Sequence, residues 1–78
     1  MNYDLAMMAL KGLARAPIRL RTEGGEVILE AEQASFKELA RLCLLLGGVQ
    51  SAKDEFELSP GVHVSSDSPK LVLRIQSS

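Results

Sequence analysis

Few side chains in this sequence have the chemistry of a catalytic or metal-binding site. Cys43 is the only cysteine and His63 the only histidine among the 78 residues. A structural zinc site needs four ligands, and a nucleophilic cysteine needs a cation or a helix N-terminus beside it. Cys43 falls on an apolar helical stripe, which predicts a buried core residue, and His63 lies alone between two valines. We therefore expect no enzymatic activity, no metal and no cofactor.

Acidic side chains gather in the C-terminal part of the sequence. Asp54, Glu55, Glu57 and Asp67, called the acidic group below, surround a predicted third strand and the hairpin that follows it. Two carboxylates at strand spacing could do acid–base work, although the solvated side of a strand carries such pairs too. With His63, the acidic group predicts a negative rim that would attract a basic protein partner. Ordinary solubility charge is the alternative explanation.

Arg15, Arg19 and Arg21 form the best candidate for anion binding in the sequence. They have no aromatic neighbours for stacking on bases, and Glu30 and Glu32 lie across the predicted hairpin from them. The net charge of the chain is −1, whereas affinity for phosphate needs a clustered basic face. Nucleic acid is therefore kept only as a lesser alternative partner.

The length and composition limit the class of protein. A chain of 78 residues with 46% hydrophobic residues has room for one core, so we expect a single domain over residues 1–78. Residues 1–16 form an N-terminal helix or arm, and residues 17–78 form the compact part. One cysteine allows no intrachain disulfide, and neither a signal peptide nor a membrane span is recognisable, so we expect a cytoplasmic protein without membrane contact.

The first two predicted elements are a helix and a hairpin. Residues 4–16 carry a helical stripe of Leu5, Met8, Ala9 and Leu13, which predicts the buried face of a helix.

The hairpin is predicted from residues 18–22 and 27–31, joined by two glycines that suit a type I′ turn. The two-residue loop predicts a register that pairs Glu23 with Glu26, Leu20 with Leu29, Arg19 with Glu30 and Ile18 with Ala31.

A second helix is predicted over residues 35–46. Ser35 and Glu38 have the spacing of a capping box, and Gly47 and Gly48 are typical of a helix end. Its predicted buried stripe consists of Phe36, Leu39, Ala40, Cys43 and Leu46 or Gly47.

Alternating apolar residues then predict strands at residues 55–58, 62–64 and 71–75, with a turn at residues 59–61. The predicted fold is α+β in the order α-β-β-α-β-β: a small antiparallel sheet of about four strands with one main helix packed on it.

The chain from residue 27 to residue 75 resembles a known family. A strand precedes the leucine-rich helix at residues 34–46, and Gly61-Val62-His63-Val64 and a final Ser-x-x-Leu-Val-Leu strand from residue 68 follow. This order is similar to immunity protein family 32 of bacterial polymorphic-toxin systems. The resemblance implies a cytoplasmic protein that binds a cognate toxin without a cofactor. Only His63 transfers by position.

The sequence therefore favours a non-enzymatic protein that works by binding another protein, with neutralisation of a cognate toxin as its specific form. The main alternative is a small homo-oligomeric structural or regulatory module. Such a module would pair through a sheet edge or through the first helix, where Met7, Met8 and Leu10 exceed one apolar face.

Overall fold

The structure is a computed structural model, and it describes residues 2–48 and 54–76. Its elements are α1 (Tyr3–Arg15), β1 (Arg19–Glu23), β2 (Glu26–Glu30), α2 (Gln33–Gly47), β3 (Glu55–Leu58) and β4 (Leu71–Arg74). The α+β class and the order α-β-β-α-β-β are confirmed. The four strands form two antiparallel sheets of two strands each, β1–β2 and β3–β4, where the sequence predicted one sheet.

Helix α1 begins with a side-chain cap. The Leu5 amide donates a hydrogen bond of 3.1 Å to Oδ1 of Asn2, which satisfies one of the free donors of the first turn. The buried face consists of Ala6, Ala9 and Leu13. The prediction that Leu5 and Met8 belong to this face is wrong, since both are exposed. The two alanines let α1 approach its neighbours closely, and the larger side chains point outward.

The hairpin β1–β2 has the predicted register from the Arg19–Glu30 pair to the turn, but the predicted pairing of Ile18 with Ala31 is wrong, because Ile18 forms a bridge with Val64. Leu20 pairs with Leu29 and Glu23 with Glu26, and the loop glycines have φ angles of 56° and 84°. Arg19 stands opposite Glu30, as predicted. The ion pair of Glu30 is nevertheless formed with Arg21, because the side chain of Arg19 reaches out of the hairpin to another loop.

Helix α2 begins two residues earlier than predicted, at Gln33. Glu32 is the N-cap residue and makes no side-chain cap hydrogen bond, so the predicted capping box is wrong. Ser35 lies inside the helix, fully buried, and its hydroxyl donates a hydrogen bond of 2.6 Å to the carbonyl of Ala16. This contact joins the start of α2 to the end of α1. The helix ends at Gly47, as its glycines predict.

The buried face of α2 also differs from the prediction. Leu42 is fully buried, and Leu39, Leu45 and Leu46 pack against the core. Most of the predicted stripe faces solvent instead: Phe36, Ala40 and Cys43 are exposed. An almost continuous run of apolar residues fits two faces of a helix, so periodicity alone does not choose between them.

The second sheet pairs β3 with β4, so that Phe56 lies opposite Leu73 and Leu58 opposite Leu71. The predicted strand at residues 62–64 is a turn, with Gly61 at φ 79° and Val64 buried. The turn is held by the amides of Val62, His63 and Val64, which all donate to the carbonyl of Ser59.

Backbone hydrogen bonds join the start of the first hairpin to the segment between β3 and β4. The Ile18 amide donates to the carbonyl of His63 (3.0 Å), and the Ser65 amide donates to the carbonyl of Ile18 (2.8 Å). Both neighbouring side chains, Ile18 and Val64, are fully buried. The core contains Ala6, Ala9, Leu13, Ile18, Leu20, Leu42, Phe56, Leu58 and Val64. Within the described residues, no helix is long and apolar enough to cross a membrane.

Candidate functional site

The acidic group lies on the second sheet and on the loop that leads to β4. Glu55 and Glu57 project from the same side of β3, because side chains two apart along a strand share a face. Glu55 accepts a hydrogen bond from Arg74 at 3.1 Å, and Glu57 pairs with Lys70 at 2.8 Å. The bond from Lys70 lowers the pKa of Glu57 below its ordinary value. Asp54 precedes β3 and is half-buried.

Asp67 belongs to a separate chain of hydrogen bonds. The Ser65 hydroxyl donates to its carboxylate at 2.7 Å, and Arg19 pairs with it at 2.7 Å. These two donors, Ser65 first, lower the pKa of Asp67. The hydroxyls of Ser65 and Ser68 lie 2.5 Å apart, and Ser68 accepts the buried amide of Leu20 at 2.9 Å. The chain of bonds ties the loop to β1.

The electrostatics of the acidic group follow from these pairs. Glu55, Glu57 and Asp67 each have a cation within ion-pair distance, and all these pairs are largely exposed. Exposed ion pairs are weak, worth about 0–1 kcal/mol each, so an incoming basic side chain can replace the internal cation. The carboxylates of Glu55, Glu57 and Asp67 are therefore open to exchange of their cations.

His63 lies in the turn at residues 61–63, and the predicted strand position for it is wrong. Its Nδ1 accepts a hydrogen bond of 3.2 Å from the Ser59 amide. Partial desolvation lowers its pKa. Both effects favour the neutral ring, and its backbone carbonyl holds Ile18. In this position the residue supports the turn.

The three arginines that the sequence grouped together have separate environments. Arg19 pairs with Asp67, and Arg21 pairs with Glu30 at 2.9 Å and also with Glu23. The bond to Glu30 raises the pKa of Arg21 and lowers the pKa of Glu30. Arg15 lies on α1, in a cleft between the two helices.

That cleft, called the basic cleft below, encloses about 470 Å³. Its lining residues are Met8, Lys11, Gly12, Arg15, Ala16, Ala34, Ser35, Glu38 and Arg41. Gly12 allows Glu38 to lie across α1, because a Cβ atom at position 12 would come within 2.5 Å of a carboxylate oxygen of Glu38. Glu38 also pairs with Arg41.

Sequence reasoning missed the basic cleft. Lys11 and Arg15 stand at i and i+4 on α1, a spacing that places them on one face, and Glu38 and Arg41 stand at i and i+3 on α2. The sequence shows these spacings. It does not show which faces of the two helices meet, because that depends on the packing of the core.

Several large apolar side chains remain in solvent. Phe36 (43% exposed) and Leu44 (76%) lie on α2, and Tyr3, Leu5, Met7 and Met8 lie on α1. Phe36, Ala40 and Cys43 follow the spacing i, i+4, i+7 and so share one face of α2. Phe36 and Glu38 are two residues apart, so this face points almost directly away from the basic cleft.

No group of three or more histidine, cysteine, aspartate or glutamate side chains is placed to hold a metal ion in residues 2–48 and 54–76. The chain matches no protein-family model. No curated protein matches it. No solved structure matches it either.

Proposed function

We propose that this chain is a non-enzymatic protein-binding module, and more specifically an immunity protein that neutralises a cognate bacterial toxin by direct contact. The observation that carries the proposal is the apolar face of α2, formed by Phe36, Ala40, Cys43 and Leu44, which lies in solvent. Exposed apolar side chains that are grouped on one face are characteristic of protein-binding surfaces.

A helix with a second, exposed apolar face can bind a partner protein by burying that face. An aromatic anchor such as Phe36 gains most when a partner pocket removes it from water, and a few such residues carry most of the affinity of an interface. The expected partner surface therefore presents an apolar pocket to α2.

The charges of the chain add a requirement for the partner. The carboxylates of Glu55, Glu57 and Asp67 are held by exposed, weak pairs. A basic partner surface would exchange with Arg19, Lys70 and Arg74 at low cost. This favours a basic toxin, as enzymes that act on nucleic acid are, and complex formation that is faster at low salt.

The test is direct binding to the product of the adjacent reading frame. The two proteins are purified separately, and their affinity is measured by titration calorimetry. We expect a complex at protein concentrations of about 10 μM or below. Absence of a complex at that concentration, together with a failure of the chain to restore growth of cells that express the neighbouring protein, would exclude the toxin-neutralising function.

A matched pair of variants tests the α2 surface. Leu44 and Val27 are each 76% exposed, on α2 and on β2 respectively. We expect Phe36→Ser and Leu44→Ser to weaken the complex about fivefold to tenfold each, since an interface anchor contributes about 1 kcal/mol or more. Val27→Ser should leave the affinity unchanged. Equal affinities for all three variants would contradict the assignment of this face.

A further inference from the structure

The basic cleft carries positive charge that the described residues do not balance. Its walls hold the cations of Lys11, Arg15 and Arg41 and one carboxylate, that of Glu38, which pairs with Arg41. Within residues 2–48 and 54–76, neither Lys11 nor Arg15 has an ion-pair partner. A concave site with an excess of positive charge attracts carboxylates.

Matching negative charge lies at the turn of the first hairpin. Glu23 and Glu26 are directly opposite each other across the two glycines, although like charges in that position destabilise a hairpin. Arg21 pairs with Glu23 but is shared with Glu30, and Glu26 has no ion-pair partner in the described part of the chain. We call residues 23–27 the acidic tip. Each of them is exposed, and Val27 adds an apolar side chain.

Within the described residues, the acidic tip forms no ion pair with the cleft of its own molecule. The base of the hairpin follows α1 directly, and the Ser35–Ala16 hydrogen bond places that base at one end of the cleft. Five strand residues at about 3.3 Å each carry the tip roughly 17 Å away from this point. Around Gly24 and Gly25 the space is open, since a Cβ atom at either position would meet nothing within 4 Å.

We propose that the acidic tip of one molecule inserts into the basic cleft of a second copy of the chain. Glu23 and Glu26 face Lys11 and Arg15 in this contact. Val27 then packs on Met8, which lines the cleft and is exposed. Because tip and cleft are different surfaces, the contact is head-to-tail and can repeat along a row of molecules or close into a ring. The proposal is independent of toxin binding and gives the homo-oligomeric alternative a specific interface.

The first measurement is the molar mass of the purified chain in solution. By sedimentation equilibrium at low salt, the weight-average mass should rise with concentration above the 8.5 kDa of one chain. It should return to that of the monomer at about 0.5 M salt, where the screening length falls to a few ångströms. A chain that stays monomeric at about 1 mM and low salt has no such contact, and the proposal is then wrong.

Complementary variants identify the surfaces. The cleft variant carries Lys11→Gln and Arg15→Gln, and the tip variant carries Glu23→Gln and Glu26→Gln. Each alone should associate at least about tenfold more weakly than the original chain. Mixed in equal amounts they should form a complex again, because the tip of the first fits the cleft of the second. The mixture keeps half of the possible contacts, so its association stops at pairs where the original chain forms longer rows.

Control variants remove charges outside the basic cleft and the acidic tip. Lys37→Gln removes a cation of α2 that does not line the cleft, and Glu32→Gln removes a carboxylate outside the tip. Both should associate as the original chain does. Association that survives in the cleft and tip variants would overturn the proposal and assign the contact to the apolar helix faces. A mixture no more associated than its components would overturn it as well. Circular dichroism should show that each variant is folded, because all the substituted side chains are exposed.

Discussion

Each of the two hairpins is an antiparallel pair of short strands, but the interactions that determine the pairing differ. In β1–β2 the strands are joined by two glycines with positive φ, and Leu20 is the only buried residue of the two strands. In β3–β4 a long turn-rich segment, residues 59–70, separates the strands, and Phe56 and Leu58 are both buried. Local turn chemistry sets the first pairing, whereas the core sets the second.

The difference has consequences for where a substitution acts. In a hairpin with a two-residue loop the turn fixes the register. Substitution of an exposed side chain on its strands should therefore change the free energy of unfolding little. A pairing between distant strands forms only when burial compensates the entropy of closing the segment between them. The second hairpin should therefore depend on its buried side chains and on the bonds that anchor residues 59–70.

The largest expected effect comes from the buried face of the second hairpin. Leu58 is fully buried, and Leu58→Ala should lower the free energy of unfolding by about 2–5 kcal/mol, through lost burial and the cavity left behind. Val27→Ala, on the exposed face of the first hairpin, should change it by less than about 0.5 kcal/mol. Urea denaturation followed by circular dichroism gives both values. A similar loss in the two variants would remove the distinction between the hairpins.

The next effect concerns the chain of hydrogen bonds that ties the two regions together. Ser68 accepts the buried amide of Leu20, so Ser68→Ala leaves that donor unsatisfied and should cost about 1–3 kcal/mol. Ser66→Ala, two residues away and exposed, is the matched control and should be neutral. Hydrogen exchange of the Leu20 amide reports on the same bond. If that amide exchanges equally slowly in both variants, the bond does not anchor the loop.

A smaller effect distinguishes the turn from the core. Gly25 has a φ of 84°, where a side chain is strained, so Gly25→Ala should destabilise the chain by about 1–2 kcal/mol. Gly47 ends α2 with open space around its Cα and no positive φ, so Gly47→Ala should be neutral or stabilise by up to about 1 kcal/mol. Thermal denaturation of both variants compares them. Equal melting temperatures would mean that the first hairpin does not depend on its turn.

The sequence predicts the fold correctly where neighbouring residues alone determine the backbone conformation. The glycines of the first hairpin and of the end of α2 predict their positions correctly, because backbone conformation restricts the residue type at such points. Tertiary packing decides the rest. Ser35 looks like a helix cap, but it is buried and bonds to the end of α1. Residues 62–64 alternate like a strand, yet the carbonyl of Ser59 holds them in a turn.

The candidate sites follow the same division. The acidic group was readable as a set of residues, but the cations that pair with it come from β1 and from β4 and its preceding residue. The basic cleft combines residues of two helices that meet only through the core, so no single stretch of sequence contains it. The exposed apolar face of α2 was misassigned because both of its faces are apolar.

The smallest expected effect is the pH dependence at His63, in the segment that serves the second hairpin. Its pKa in the folded chain is lowered from the ordinary 6.5 by desolvation, and a proton on Nδ1 would also break the bond from the Ser59 amide. As the pH falls through 6.5, the unfolded chain binds the proton first, so stability decreases until the pH passes below the folded pKa. The lowered pKa of Glu57 affects stability only at lower pH, because its ordinary value is 4.5.

The variant His63→Asn tests this pH dependence, because asparagine keeps an acceptor for the Ser59 amide but does not titrate. The melting temperature of the variant should not fall between about pH 7.5 and pH 5.5, whereas that of the original chain should fall slightly. An NMR titration of the His63 ring with a midpoint above 6.5 would reverse the sign and contradict the neutral, turn-supporting role.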